Sequence, residues 1–354
     1  MPTYPISDHY DGERFFNPHA RARPLRDAIK WMRSRQRTPW PRHLPIAPHP
    51  TPPATVKPGC VAVTCIGHST FLIRTASAVI LTDPVFTSHA GPFGRMGPRR
   101  VRSPAIAASA LPPVDIVLVS HNHYDHLQPS SLRLFADRAV YVAPLGVPRQ
   151  LGLPLQADLP PEGGSYRVGR GEAASSENSV ALPENPGASA FRRNILELDW
   201  WQTTKVGDAE ITSVPAQHFS SRTPWDRDRT LWCGYVVRVG GVTVYFAGDS
   251  GYSPQFAAIG KRFPSIDVAL LPIGAYEPRW FMTPVHMNPE DAVRAHLDLG
   301  PRLSIGMHFG TFQLTDEAID EPLQALERAR IAAGVSPEQF KTLDFGETTR
   351  QAQQ

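Results

Sequence analysis

Cysteine is scarce in this chain: its 354 residues hold three, Cys60, Cys65 and Cys233. That number excludes a disulfide framework and a cysteine-rich zinc module. No stretch approaches the roughly 18 uninterrupted apolar residues that a membrane-crossing helix needs. The opening MPTYPISDHYDGERFF lacks a charged region followed by an apolar run, so no secretory signal is read and a cytoplasmic location is expected. Charge of one sign is not in excess either. The 36 Lys and Arg against 33 Asp and Glu leave +3, too little to imply a nucleic-acid partner. Hydrophobic residues at 41% and charged ones at 19% exclude a wholly disordered or fibrous chain. The length allows one large or two modest domains.

Proline is abundant, at 37 residues, about twice the usual share, which argues for many turns between short elements. Residues 1–55 form a basic, Pro-rich N-terminal arm. Within it PLRDAIKWMRSR places Pro24 at the first helical position and Leu25, Ile29 and Met32 on one face. That face either packs on the main domain or meets a membrane surface or partner. Residues 56–354 read as the main domain. Strand-like runs fill it: CVAVTC, TFLIRT, AVILTDPVF, VDIVLVS, AVYVAPLG, AEITSVP, CGYVVRV, VTVYFAG, VALLPIG and LSIGMHFG. Helical patterns fall between them. NPEDAVRAHLDLG offers Asn288 as N-cap and Pro289 at the first position, while Pro322 should kink or break DEAIDEPLQALERARIAAG. Helices covering two sheets are expected. The Gly-, Pro- and Ser-rich stretch 160–191 reads as a mobile surface insertion, or alternatively as a lid over a site.

Histidine carries the chemistry. After VDIVLVS the chain reads His121-Asn122-His123-Tyr124-Asp125-His126-Leu127. Borderline cations such as zinc prefer imidazole nitrogen and carboxylate oxygen, and a loop leaving a strand can aim residues two apart at one point. His121 and His123 would serve one metal, Asp125 and His126 a second. A dinuclear centre needs further ligands. His218, Asp249 and His308 each follow a strand-like run, although each alone also reads as a buried histidine or a turn residue.

These residues resemble the metallo-β-lactamase superfamily, whose signature His-x-His-x-Asp-His is followed by a histidine, a bridging aspartate and a final histidine. The resemblance is closer still to its N-acyl-phosphatidylethanolamine-hydrolysing phospholipase D branch, in GHSTFLI, LTDPVF, GPRRVRSP, LPPVDIVLVSHNHYDHL, ELDWW, VPAQHFSSR, FAGDSGY, IGKRF, LPIGAYEPRWFM and MHFGTF. It runs from about residue 60 to 348. The sequence departs from the branch at Asn288, after His218, in the first 55 residues and in 160–191, which leaves the substrate open.

The resemblance implies an α/β fold, a four-layer αββα sandwich. It implies two zinc ions, with iron or manganese as substitutes, held by His121, His123 and His218 on one side and Asp125, His126 and His308 on the other, with Asp249 bridging. It gives Asp125 and His286 catalytic parts; His286 alternatively only opens a helix beside Asn288. The implied reaction is phosphodiester hydrolysis, with a metal-bridging hydroxide as nucleophile, on a small-molecule or phospholipid substrate. A lactonase or other small-ester hydrolase is the alternative on this fold. Peripheral membrane contact and a homodimer are the partners it admits. His68 and Asp83 would support the ligands. Trp200, Trp201, Tyr276, Trp280 and Phe281 would line an acyl groove or sit in the core, and Arg279 would contact phosphate or pair with Glu277.

Overall fold

A computed structural model of the chain describes residues 4–20, 23–150 and 195–353; the insertion expected at 160–191 lies outside them. The strands of the first half are β1 (Cys60–Gly67), β2 (Thr70–Arg74), β3 (Val79–Thr82), β4 (Ile116–Leu118), β5 (Val140–Pro144) and β6 (Ile195–Leu198). Then come β7 (Thr203–Val206), β8 (Ala209–Pro215), β9 (Cys233–Val239), β10 (Val242–Phe246), β11 (Val268–Pro272), β12 (Leu303–Met307), β13 (Phe340–Thr342) and β14 (Thr348–Ala352). They form two seven-stranded sheets, ordered β14-β1-β2-β3-β4-β5-β6 and β13-β12-β11-β10-β9-β8-β7. The expected α/β sandwich is what forms.

Alternation along the strands builds the layers, because successive side chains on a strand point to opposite faces. Phe71 and Ile73 of β2 enter the main core, which also takes residues of the second sheet, while Leu72 between them joins Leu132 and Ala136 of the helical segments outside. Likewise Ile116 and Leu118 of β4 point inward and Val117 outward. Burying a side chain such as Phe71 fully is worth about 1.5–3 kcal/mol.

Strand direction then gathers the functional residues. The pairs β1/β2 and β2/β3 are antiparallel and β3/β4 parallel, so β1, β3 and β4 run the same way. In the second sheet β8/β9 and β9/β10 are antiparallel, while β10, β11 and β12 are mutually parallel. β8, β10 and β12 therefore share a direction too. Just beyond the C-terminal ends of these six strands stand His68, Asp83, His121, His218, Asp249 and His308.

Helix ends follow the sequence signals in one case and correct them in two. The helix Pro289–Leu299 is capped by Asn288, whose Oδ1 accepts the Asp291 N–H at 2.9 Å, and is closed by Gly300 at φ 63°. Pro322 does not kink a helix. It lies in the first turn of Glu321–Ala333, where a missing N–H costs no hydrogen bond. The arm helix Leu25–Ser34 begins after Pro24 and does not dock through the expected face, for Ile29 and Met32 are exposed and the Leu25 side chain lies outside the description. Trp31 docks it instead. Its ring stacks on Phe281 with centroids 5.1 Å apart, and its indole N–H donates to Asp316 Oδ2 at 2.9 Å. Earlier in the arm, Tyr10 and Phe15 are buried in the main core.

Candidate metal centre

The loop after β4 folds into a single tight turn, with the N–H groups of His126 and Leu127 both donating to the His123 carbonyl. That turn brings three imidazoles and a carboxylate to one side. His123 Nδ1 lies 2.9 Å from His121 Nε2 and 3.1 Å from His218 Nε2, a first cluster of donors. Asp125 Oδ2 lies 3.3 Å from His308 Nε2 and 3.5 Å from His126 Nε2, a second. Asp249 Oδ2 stands between the two, 3.1 Å from His126 Nε2 and 3.0 Å from His308 Nε2, and 3.8 Å and 4.0 Å from the Nε2 atoms of His218 and His121. All seven residues singled out by the sequence thus converge, and all but the half-buried His123 are buried.

Several neighbours hold these groups. Asp83 accepts from His126 Nδ1 at 2.6 Å, and the Ser120 hydroxyl lies 2.8 Å from His121 Nδ1. His218 Nδ1 donates to the Val285 carbonyl at 2.9 Å. His68 Nε2 reaches Asp125 Oδ2 at 3.1 Å, and the His68 ring lies 4.1 Å from that of His308. Asp83 and His68 thus contact the candidate ligands directly, and each also stands among groups of donors that could hold an ion. Arg222 was not foreseen. Its Nη1 donates to the carbonyls of Asn122 and Leu127 at 2.7 and 2.8 Å, clamping the loop, and its place four residues after His218 was the available signal. His68, Asp83 and His308 adopt left-handed backbone, with φ of 56°, 32° and 64°. That conformation costs about 1–3 kcal/mol in a residue other than glycine and persists where surrounding structure enforces it.

His286 stands at the rim, its Nδ1 4.0 Å from Asp249 Oδ2 and its ring 4.9 Å from that of His218. Arg279 steadies it from behind, donating from Nη1 to the His286 carbonyl at 3.1 Å. The ion pair of Arg279 is with Asp291, at 2.6 Å, and not with Glu277, whose carboxylate takes only the Arg279 main-chain N–H. The five aromatic residues divide between core and surface, with Tyr276 buried. Trp200 is buried and stacks on His9, and Trp201 lies beneath Arg262, whereas Phe281 and Trp280 meet Trp31 and Lys30 of the arm.

Electrostatics divides the imidazoles. Burial pushes His68 and His123 down to about 3 and His218 to about 4, and it holds His121 and His286 well below the usual histidine range. These rings are neutral at pH 7, the form that coordinates a cation. Burial also disfavours charge on His126 and His308. There Asp249 and Asp125 outweigh it, raising His126 well above the usual range and His308 to about 9. Burial would raise Asp125 and Asp249, yet the facing imidazoles of His126 and His308 hold both well below the usual carboxylate range. Two buried carboxylates facing this many ring nitrogens make a field that favours positive charge.

The donor set fits a metal. Asp249 Oδ1 and His126 Nε2 are buried with no hydrogen-bond partner, and imidazole with carboxylate suits zinc, iron or manganese. Four sets of such donors have their ligand atoms within 4.8 Å of one another: His68, Asp125, His126 and His308; His121, His123 and His218; Asp83, His121 and His126; and His218, Asp249 and His286.

The two sheets and this cluster at their shared edge define a metallo-hydrolase domain. A family model described as a β-lactamase superfamily domain matches residues 79–309. The chain belongs to the metallo-β-lactamase superfamily. It is 32% identical over 290 residues to N-acyl-phosphatidylethanolamine-hydrolyzing phospholipase D 1 of Caenorhabditis elegans, covering 80% of this chain and 74% of that one. An uncharacterized protein of Mycobacterium tuberculosis is 35% identical over 283 residues, which are 78% of this chain. The chain spans 65% of that relative's length. Among solved structures, Igni18, a metallo hydrolase from Ignicoccus hospitalis, shares the fold with a TM-score of 0.54 at 21% identity, covering 82% of this chain and 98% of that one.

Proposed function

We propose that this chain is a dinuclear zinc phosphodiesterase of the phospholipase D type, acting on N-acyl-phosphatidylethanolamine. The observation that carries the reading is the position of Asp249 Oδ2, within 4.0 Å of imidazole nitrogens from both donor clusters. A carboxylate so placed suits a bridge between two cations. The named activity of the Caenorhabditis elegans relative supports the substrate class.

His121, His123 and His218 would hold one ion and Asp125, His126 and His308 the other. Two such ions supply Lewis acidity and lower the pKa of water toward neutrality. The chain's own residues do the rest. Asp83, Ser120 and the Val285 carbonyl fix ring orientation, and Arg222 keeps the 121–127 loop closed. Burial keeps His286 neutral, so its ring carries one N–H to steady the departing oxygen. Water adds to phosphorus as the bond from phosphorus to the ethanolamine oxygen breaks, and that oxygen leaves protonated. The products are phosphatidic acid and an N-acylethanolamine.

A bilayer substrate brings the enzyme to a membrane surface. The arm helix supports such contact, with Arg26, Lys30 and Arg33 beside the exposed Ile29 and Met32. Among the described residues no helix is long and apolar enough to cross a membrane. A homodimer is the proposed assembly, tested by light scattering.

The test is turnover by zinc-loaded protein of N-acyl-phosphatidylethanolamine in mixed micelles, with bis-p-nitrophenyl phosphate and acyl-homoserine lactones in parallel. Release of phosphatidic acid supports the reading. Hydrolysis of lactones with neither phosphodiester touched would assign the chain to the lactonases.

A further inference from the structure

We propose that Asn17, on the N-terminal arm, is a positioning residue for His218, so that the arm is part of what holds the metal centre in shape. The inference rests on His218 being a metal ligand, as read above. Asn17 precedes both the stretch that resembles the superfamily and the residues its family model matches.

The contact is direct. Asn17 Nδ2 donates to the His218 carbonyl at 2.7 Å, and Asn17 Oδ1 accepts the indole N–H of Trp232 at 3.1 Å. The orientation of the amide follows from its partners, since a carbonyl only accepts and an indole N–H only donates. Trp232 is fully buried in the core just before β9, so one end of the amide rests on the core. The arm is fixed just before it: Phe15 is buried, and its N–H donates to the Asp228 carbonyl at 2.8 Å.

His218 lies past the end of β8, on a segment leaving the sheet. Its ring is tied by Nδ1 to the Val285 carbonyl, and His218 lines a cavity of about 650 Å³ together with the arm residues 14–20, Phe219 and Trp232. The chain on either side is pinned, with the Gln217 N–H donating to Ser250 Oγ at 2.9 Å, the Gln217 carbonyl accepting from Gly251 and the Ser220 carbonyl from Asp228, both at 2.8 Å, so the Asn17 amide adds the hydrogen bond to the carbonyl of His218 itself, between them. Phe219, the next residue, packs against the His123 ring at 4.5 Å. A turn of this peptide would therefore disturb two members of the first donor cluster together.

Asn17→Ala removes the donor while Trp232 keeps a partner, because its indole N–H also reaches the Ala216 carbonyl at 2.9 Å. Asn17→Asp keeps the acceptor for Trp232 and sets a carboxylate against the His218 carbonyl. His9→Ala is the control, removing the Asp199 contact and the ring stacking on Trp200 and Phe15 while leaving the Asn17 amide and the Phe15 main-chain bond in place. Zinc affinity is measured by chelator competition, and ligand geometry from the visible spectrum of the cobalt-substituted protein. Both Asn17 variants are expected to bind zinc about tenfold more weakly, the lower end for loss of a ligand-supporting hydrogen bond. Their cobalt spectra shift, while His9→Ala matches the unmodified protein in both readouts. Unchanged affinity and spectrum in the Asn17 variants overturn the inference, as does an equal loss in His9→Ala. An unmodified protein that takes up neither metal overturns the ligand reading itself, and this inference with it.

Discussion

Asp83 Oδ2 lies 2.6 Å from His126 Nδ1, and the same carboxylate accepts the main-chain N–H of Ser120 at 2.7 Å and its hydroxyl at 2.5 Å. A single buried side chain at the end of β3 thereby fixes the far side of one candidate ligand and the residue that precedes another. With Nδ1 engaged, His126 presents Nε2 to Asp249 and Asp125. Replacing Asp83 with Ala should weaken zinc binding about 10- to 100-fold in chelator competition. It should also lower unfolding stability by about 1–3 kcal/mol, since the Ser120 N–H is left buried and unpaired. Unaltered zinc affinity would remove Asp83 from the account of the site.

His286 touches the cluster only at its rim, so its removal should separate binding from chemistry. His286→Asn is expected to retain the full metal content by elemental analysis while kcat falls about 100-fold or more. Loss of metal from this variant would make His286 a ligand, and unchanged kcat would remove it from the reaction.

Gly248 precedes Asp249 with φ at +60°, and a Cβ built there would lie 2.7 Å from Ser120 Cβ and 2.9 Å from the Cys233 carbonyl oxygen. Both the backbone and the space demand glycine. Gly248→Ala should cost about 1–3 kcal/mol in denaturant unfolding, in the range for overpacking, and should lower metal content with it. Wild-type stability would show that the turn has more room than the contacts allow.

The arm carries its own pH dependence through His9. Burial disfavours charge on His9, but its bonds to Asp199 at 2.8 Å and Asp8 at 2.6 Å outweigh that and raise its pKa above 6.5. A raised pKa in the folded state means a contribution fully present below about 6.5 and lost as pH climbs through the higher folded value. Most of it belongs to the Asp199 contact, since Asp8 is exposed and screened. Unfolding by urea at pH 6 and pH 9 should show His9→Gln destabilised at the lower pH and close to the unmodified protein at the higher. Equal destabilisation at both would sink the assignment.

Much of this was legible in the sequence. The ten strand-like runs all contain strands, because each has the apolar, β-branched content that buried strands need. β6, β7, β13 and β14 were missed, and all four are the outermost strands of their sheets. β7 buries only Val206 of its four residues, β14 is Thr-Thr-Arg-Gln-Ala at a sheet edge, and β13 has three residues. Edge strands like these three are held by main-chain pairing, which leaves no apolar pattern. The seven donors were found because ligand-type residues crowd one loop and recur at strand ends. Trp31 and Asn17 were not found. Their partners, Asp316 and His218, stand hundreds of positions away, and no local spacing encodes a contact of that range. Pro322 was misread because a proline marks a helix start as readily as a break, and only the observed first turn decides between them.

The central claim is a pair of cations held by seven converging side chains, with Asp249 between them, and metal stoichiometry tests it most directly. Protein loaded with zinc and freed of excess should carry about two ions per chain by elemental analysis, as a two-metal hydrolytic site requires, and Asp249→Ala should hold at most one. Fewer than one ion in the unmodified protein, or two retained without Asp249, would contradict it.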